Sequence, residues 1–142
     1  MIVYHGSNQI LEKPDVRFSK KYLDFGKGFY LTTFQNQAEK WALRKTIRFG
    51  GEPYVNIYEL HDELSSFKLL TFENKNEKWL DFVCSCRKGE DSNANYDIVS
   101  GNVANDDVFK SVDMYFRGIW DKQRTIEEIS LIVPFFNKSR FI

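Results

Sequence analysis

The spacing of apolar side chains along the chain predicts both strands and helices. Short runs of β-branched and aromatic residues, some with period-two alternation, are typical of strands; the predicted strands are Ile2–His5, Gly28–Thr33, Tyr54–Leu60, Phe67–Phe72, Tyr96–Ser100 and Glu128–Val133. Apolar positions three and four apart predict helices; these are a helix capped by Thr33 with Ala38, Trp41, Ala42 and Lys45 on one face, Asn76–Arg87, and Asp106–Ile119. Because strands and helices mix without a regular β-α-β period, we expect an α+β fold with a largely antiparallel or split sheet.

Length and composition predict a single domain. The 142 residues lie near the commonest domain size, and the hydrophobic fraction of 42% is too high for a disordered chain. The chain has no internal repeat, low-complexity tract or linker, and only Lys88–Asn95 has the composition of a surface loop. We therefore expect residues 1–142 to form one domain.

Charge and hydropathy limit the partners of the protein. Basic and acidic residues number 20 each, so the chain lacks the overall positive field that dominates non-specific nucleic-acid binding. Local basic residues usually form a solvated helix face; those that could instead form a basic strip are Lys20, Lys21, Lys40, Arg44, Lys45 and Arg48. No run approaches about eighteen apolar residues and no signal peptide is indicated, so we expect a cytoplasmic protein with no membrane partner.

The cysteine and histidine content argues against a metal enzyme. Cys84 and Cys86 are the two cysteines, and a C-x-C pair without further ligands nearby has neither zinc spacing nor a disulfide framework. His61 has no partner at metal-ligand spacing. We expect reduced thiols, with Cys86 in the core, and no metal.

The segment His5-Gly6-Ser7 lies at the end of the first predicted strand and could bind a ligand. Glycine allows close approach to the backbone, and the flanking imidazole and hydroxyl supply directional hydrogen-bonding groups. Taken alone the signal is weak, because a single histidine near a strand end is more often a structural residue.

A second segment, Gly26-Lys27-Gly28-Phe29-Tyr30, strengthens the case. Its glycines predict a turn that a ligand can approach closely, and the aromatic residues then enter a strand, where successive rings point to opposite faces. We expect one ring to face the core and the other a cleft. An aromatic face in the cleft suits a cationic nicotinamide ring.

Together these segments resemble the H-Y-E branch of ADP-ribosyltransferases, the branch of diphtheria toxin and the poly(ADP-ribose) polymerases. Most of the chain is similar to a bacterial family of unknown function regarded as ADP-ribosyltransferase-like. The similarity is carried by Tyr4–Ser7, Asp24–Thr33, Gln37-Ala38, Trp41-Ala42, Trp79–Val83 and Tyr96–Gly101. It implies an ADP-ribosyltransferase-like fold of split mixed or antiparallel sheets with flanking helices.

The resemblance also implies a role for individual residues toward NAD⁺, the substrate. His5 would hydrogen-bond the adenosine-side ribose, and the Gly6 backbone would hold the nicotinamide carboxamide with help from Ser7. Gly28 would belong to the close-approach turn, and Tyr30 would stack on the nicotinamide ring. The alternative for Tyr30 is that it is one more core aromatic residue.

Such enzymes also need a carboxylate that stabilises the sugar cation as nicotinamide leaves. On a strand beginning at Glu128, that residue shares a face with Ser130, and we favour it as the catalytic group. Glu127 is the competitor, because a register error of one residue exchanges the two faces. Ile126 stands where arginine-modifying toxins carry a second acidic or amide residue, so arginine is a disfavoured acceptor. We expect structural roles for Asp97, Asp106 and Asp107.

The function expected from the resemblance is transfer of ADP-ribose from NAD⁺ to a protein or nucleic-acid acceptor. A small transferase of this kind resembles a bacterial toxin held in check by an antitoxin. Two alternatives remain open at this point: an NAD⁺ glycohydrolase, in which water replaces the acceptor, and a non-catalytic module that binds NAD⁺ or ADP-ribose.

Overall fold

The computed structural model describes residues 1–18, 23–60, 63–102, 106–131 and 139–141. Their strands are β1 (Ile2–Ser7), β2 (Leu31–Thr32), β3 (Tyr54–Glu59), β4 (Leu69–Thr71), β5 (Ile98–Asn102) and β6 (Ser139–Phe141). Their α-helices are α1 (Gln35–Phe49), α2 (Glu77–Arg87), α3 (Asp106–Phe116) and α4 (Lys122–Leu131). The mixed α+β class expected from the pattern is confirmed. None of the described helices has the length and apolar content needed to cross a bilayer.

The described strands form one mixed sheet in the order β3-β1-β2-β6-β5-β4. Antiparallel pairing joins β1 to both of its neighbours, and β6 to β2 and β5. Among the described strands, β4 and β5 are the one parallel pair. The first strand therefore lies inside the sheet, between β2 and β3, where the predicted site residues on β1 are held by ladders on both sides.

Helix α1 packs unusually close to β1, and Gly6 makes this possible. A Cβ atom placed on Gly6 would lie 1.9 Å from the Ala38 carbonyl oxygen and 2.8 Å from the Ala42 backbone nitrogen. Both alanines are fully buried. Small residues on both elements thus let two backbones meet, and Gly6 has a packing role whatever else it does.

The main core lies between the sheet and the other three helices. Helix α2 begins at the cap Asn76, whose Oδ1 accepts a hydrogen bond of 3.0 Å from the Trp79 backbone N–H, in agreement with the predicted start. The buried cluster consists of Phe25, Tyr30, Trp79, Leu80, Val83, Cys84, Val99, Val108, Val112 and Ile129. Residues from the turn before β2 therefore share this core with α2, α3 and α4.

The predicted strand Glu128–Val133 is wrong where it can be compared, because Glu128 to Leu131 belong to helix α4. Asp121 begins this helix, accepting a hydrogen bond of 2.7 Å at its Oδ1 from the Arg124 backbone N–H. Ile126 and Ile129 are then on one face, packed against the main core. Helical capping and packing thus outweigh the β-branched run. Residues 132 and 133 lie outside the described residues.

The start of α1 also differs from the prediction. The residue at the cap position is Phe34, which makes no side-chain capping bond, and not Thr33. The hydroxyl that serves this helix end belongs to Thr32: it accepts a hydrogen bond from the Phe34 backbone N–H at 3.1 Å and donates to Gln37 Oε1 at 2.5 Å. Thr32 is fully buried and Gln37 nearly so. The hydrogen bond between Thr32 and Gln37 therefore joins β2 to α1 within the protein interior.

Candidate functional site

His5 on β1 contacts the backbone of Tyr30, the residue just before β2, although the two lie 25 residues apart in the chain. The distance between His5 Nδ1 and the Tyr30 carbonyl oxygen is 2.7 Å. A carbonyl oxygen only accepts hydrogen bonds, so Nδ1 carries the hydrogen, and Nε2 of the neutral ring is its acceptor. The fold thus fixes both the orientation and the tautomer of His5.

The aromatic side chain next to His5 is Phe29. The two rings are stacked with their centroids 4.3 Å apart and an angle of 26° between their planes. Tyr58 of β3 meets Phe29 edge-on, at a centroid distance of 5.9 Å. All three side chains are half-buried. A small aromatic surface therefore lies beside the imidazole.

Tyr30 points into the main core. Its ring is 8% exposed, and its hydroxyl donates to the Gly26 carbonyl oxygen at 2.6 Å and accepts from the Phe25 N–H at 3.1 Å. The structure therefore places Tyr30, the residue that the resemblance assigns to nicotinamide, in the core. Its stacking role stays a prediction, which requires the ring to leave two hydrogen bonds.

The turn before β2 is held from several sides. Gly26 has a φ of +77°, in the left-handed region that favours glycine. Asn93, from the loop after α2, donates through Nδ2 to the Phe25 and Lys27 carbonyl oxygens at 2.8 and 2.9 Å. The backbone of this turn is thus held in place by the loop after α2.

An ion pair on the same turn adds a further link. Arg87, at the end of α2, donates from Nε to Asp24 Oδ1 at 2.9 Å, and both side chains are largely buried. The Arg87 guanidinium also lies over the Phe109 ring of α3, 4.3 Å from its centroid. Asp24 and Arg87 therefore tie the turn to two helices.

Gly6, Ser7 and Gly28, the other residues predicted to bind NAD⁺, are all buried. Ser7 is 3% exposed, and its Oγ accepts a hydrogen bond from the Gln9 N–H at 3.3 Å. These residues shape the backbone around His5, and their roles toward NAD⁺ stay predictions.

Sequence reasoning did not single out Asn56 and Tyr58, which hold the segment after Ser7. Asn56, 9% exposed, accepts from the Leu11 N–H at 2.8 Å and donates to the Gln9 carbonyl oxygen at 3.1 Å. Tyr58 donates its hydroxyl hydrogen to the Leu11 carbonyl oxygen, and burial raises the pKa of this hydroxyl. The sequence signal that could have identified this role is Asn56 itself, a polar residue at an inward-facing position of β3.

The two candidate carboxylates lie on α4. Glu127 is exposed and accepts a hydrogen bond of 3.2 Å from Gln123, one turn earlier, whereas Glu128 is half-buried. Ile129, next to Glu128, belongs to the cluster that contains Tyr30. The structure thus brings together His5, Phe29 and the Tyr30 backbone, and it carries Glu128 on a separate helix that packs against the same core.

Of the other acidic residues, Asp97 fits the structural role expected for it. Asp97 accepts a hydrogen bond of 2.8 Å at Oδ2 from the Lys68 N–H. Helix α3 begins at Asp106, but the side chains of Asp106 and Asp107 lie outside the described residues, as does His61. Within the described ranges, no group of three or more potential ligands could hold a metal ion.

The cysteines are free thiols inside the core, as expected. Cys86 is fully buried and Cys84 is 5% exposed. Burial raises the pKa of Cys84 to about 11 and that of Cys86 to about 12. Such thiols are poor nucleophiles at neutral pH, so they are structural residues.

A cavity of about 450 Å³ lies elsewhere, between α2 and the end of α3. Its lining includes Asp81, Ser85, Tyr115 and Trp120, and none of the predicted site residues. Asp81 pairs with Lys122 at 2.9 Å and accepts a hydrogen bond from the Tyr115 hydroxyl at 3.3 Å. The polar groups of this cavity therefore largely satisfy one another.

Comparison with known proteins identifies a family without indicating an activity. A family model described as a protein of unknown function (DUF3990) matches residues 1–136, which is nearly the whole chain. No curated protein and no solved structure matches with significance. The match includes both the His5 segment and the Gly26 turn, and the chain therefore belongs to the DUF3990 family.

Proposed function

We propose that this protein transfers ADP-ribose from NAD⁺ to a protein or nucleic-acid acceptor. The observation that carries the proposal is the contact between His5 and the Tyr30 backbone, because it unites two segments, distant in sequence, that resemble the H-Y-E ADP-ribosyltransferases. The finer fold assignment, an ADP-ribosyltransferase-like domain with flanking helices, belongs to the same proposal, although the described strands form one mixed sheet and not the split sheets that the resemblance implies.

The reaction breaks the bond between nicotinamide and C1′ of its ribose. Nicotinamide leaves with the bonding electron pair, the ribose becomes cationic, and an acceptor oxygen, nitrogen or sulfur attacks C1′ and loses a proton. The products are nicotinamide, the modified acceptor and H⁺. No metal or redox partner is needed to balance this step.

His5 is the best-positioned polar group for the substrate. Its Nδ1–H is committed to the Tyr30 carbonyl oxygen, so in the neutral ring Nε2 accepts a hydrogen bond from a ribose hydroxyl. Phe29 is already beside His5, whereas Tyr30 would have to leave the core. We therefore assign the ring contact to Phe29 in the described conformation, and retain Tyr30 as the alternative based on resemblance.

Glu128 remains the proposed group for stabilising the sugar cation. A half-buried carboxylate provides a stronger electrostatic effect than an exposed one, which favours Glu128 over Glu127. The strand register that first distinguished the two residues no longer applies, because they lie on a helix. The choice now depends on exposure.

The direct test is incubation with NAD⁺ labelled in its adenosine half, together with a cell lysate. Label in protein or nucleic acid supports the proposal. Free ADP-ribose without labelled macromolecules would indicate the glycohydrolase, and intact NAD⁺ that is nevertheless bound would indicate the non-catalytic module. If His5→Ala changes neither the rate of NAD⁺ cleavage nor the affinity for NAD⁺, the proposed site is wrong.

Matched variants separate the carboxylates and the aromatic rings. Glu128→Gln should lower the rate of NAD⁺ cleavage by about 100-fold or more, the effect typical of removing one group that stabilises transition-state charge. Glu127→Gln is the control and should leave the rate nearly unchanged. Phe29→Leu should weaken NAD⁺ binding more than Tyr30→Leu, because each change removes one aromatic ring and Phe29 is the ring beside His5. Thermal unfolding of each variant shows whether its fold is intact.

The proposed cellular role rests on the resemblance to bacterial toxins. In this part of the proposal the transferase acts inside the bacterial cell as a toxin, and an antitoxin protein restrains it. Induced expression of the wild type in a bacterial host should arrest growth, whereas Glu128→Gln should not. Equal growth of the two strains at equal protein level would contradict the toxin role.

A further inference from the structure

Helix α1 has an inner face that is fully used and an outer face that is not. Its buried residues, Gln37, Ala38 and Ala42, pack against the sheet. Leu43 and Ile47 form an exposed apolar row opposite the two buried alanines, and Arg44 and Arg48 form an exposed basic row on the flank between Ile47 and Gln37. We call these four residues the α1 outer face.

The apolar row is strongly exposed. Leu43 is 53% exposed and Ile47 is 86% exposed, the highest value among the large hydrophobic side chains of the described part of the chain. Single exposed apolar residues are common on protein surfaces. Two of them one turn apart, beside a row of arginines, form an amphipathic surface that suits a complementary partner.

Charge is concentrated on the same helix. Within its fifteen residues α1 has four basic side chains and one acidic side chain, whereas the whole chain has 20 of each sign. Arg44, Lys45 and Arg48 take part in none of the ion pairs among the described residues, while the basic groups at 17, 87, 117 and 122 all pair with aspartates. The α1 outer face thus carries positive charge available to a partner.

We propose that the α1 outer face docks an acidic, amphipathic segment of another protein. Carboxylates on that segment would pair with Arg44 and Arg48, and its apolar side chains would cover Leu43 and Ile47. A second copy of this chain is disfavoured, because a two-fold contact would place like charges together. A nucleic acid is disfavoured because its phosphates would pair with the arginines but make no apolar contact with Ile47. A protein segment is therefore the best match.

This proposal does not depend on NAD⁺ chemistry, and its test measures binding alone. Short random peptides displayed on phage are selected on the immobilised full-length protein, and the recovered peptides are synthesised. The test variant is Arg44→Glu with Ile47→Asp. The matched control is Lys110→Glu with Ile119→Asp, which makes the same kinds of change at exposed positions away from α1.

We expect recovered peptides to be rich in Asp, Glu and large apolar residues. They should bind the test variant about tenfold or more weakly than the wild type, as loss of central interface anchors predicts. The control variant should bind as the wild type does. Binding should also weaken with added salt.

Four results would overturn the proposal. One is that no peptide is enriched, and another is that enriched peptides bind the test variant unchanged. The third is that a short labelled RNA or phosphatidylserine vesicles, but no peptide, bind the wild type and lose affinity in the test variant. The fourth is a wild-type dimer in sedimentation experiments that the test variant abolishes, since this would make the occupant a second copy.

Discussion

Substitution of Gly6 by alanine tests whether the glycine of the His5 segment is required by packing. The new Cβ would lie 1.9 Å from the Ala38 carbonyl oxygen and 2.8 Å from the Ala42 backbone nitrogen. Both atoms belong to the backbone of α1, so no change of side-chain rotamer can relieve the contact. Helix α1 would have to move away from β1 by more than an ångström, which opens the interface around two fully buried alanines.

The cost follows from the known effects of overpacking. Inserting a methyl group into a close-packed interior typically costs about 1–3 kcal/mol, and the upper part of this range applies where the backbone must move. For a chain of this length an unfolding entropy of about 0.3 kcal/mol/K converts 1 kcal/mol into about 3 °C. We therefore expect Gly6→Ala to lower the midpoint of thermal unfolding by about 6–9 °C.

Calorimetry together with circular dichroism measures this shift, and isothermal titration measures NAD⁺ binding by the same samples below the transition. The double variant Gly6→Ala/Ala38→Gly should not regain stability, because the clash is with the Ala38 carbonyl and not with its methyl group. An unchanged midpoint in the single variant, or recovery in the double variant, would refute the packing argument and leave ligand binding as the reason for this glycine.

Three further outcomes are expected. Thr32→Val should destabilise the fold by about 1–3 kcal/mol in urea unfolding, because it leaves Gln37 Oε1 and the Phe34 N–H without their buried partner; a cost near zero would contradict this. Asn93→Asp should accelerate hydrogen exchange in residues 24–28, because a carboxylate would replace the amide that donates to two carbonyl groups, whereas the neighbouring Asn95→Asp should not. Burial raises the pKa of Cys84 to about 11 and that of Cys86 to about 12 in the folded state, above their ordinary value of about 9. The free energy of unfolding should therefore be highest below about pH 9 and should fall as the pH rises through the two folded values, because the unfolded state loses these protons first. Substituting both cysteines by alanine should remove this part of the pH dependence.

Much of the fold could be predicted where apolar periodicity and capping agree. Helix α2 shows this: Asn76 caps it, and Trp79, Val83 and Cys86 are buried as the helical spacing predicts. Strand β3 was likewise predicted almost to the residue. In both elements local preference and tertiary packing favour the same structure.

Helix α4 was missed because two signals conflicted. The run of β-branched residues after Glu128 is typical of a strand, whereas Asp121 and the spacing of Ile126 and Ile129 are typical of a helix. Giving weight to Asp121 as a cap would have identified the helix. The order of strands was beyond prediction, because pairing β6 with both β2 and β5 depends on contacts between distant parts of the chain.

In the candidate site, the contact between His5 and the segment after Gly26 fits the interpretation of the two motifs as one site. Which of the two rings, Phe29 or Tyr30, faces the core could not be predicted. Strand alternation places Phe29 and Tyr30 on opposite faces without saying which face is the core. The hydroxyl of Tyr30 decides this, since it satisfies both the Gly26 carbonyl and the Phe25 N–H in a buried setting. That pairing depends on the turn conformation, which the sequence pattern does not specify.

The motif residues therefore differ in what they can reveal about function. Gly6 and Tyr30 have packing roles that would preserve them in a non-catalytic module as well as in an enzyme. Glu128 is half-buried on a helix surface and has no comparable duty in the core, and His5 is a half-buried polar side chain held beside Phe29 by its contact with the Tyr30 carbonyl oxygen. Variants of Gly6 or Tyr30 that lose activity would thus be ambiguous, because misfolding explains them equally well. Only His5 and Glu128 can separate a transferase from a binding module, and both should be changed to Gln, which preserves size and polarity. The decisive result is a Glu128→Gln variant that loses NAD⁺ cleavage but keeps NAD⁺ binding and stability. A binding module without catalytic activity could not produce that result.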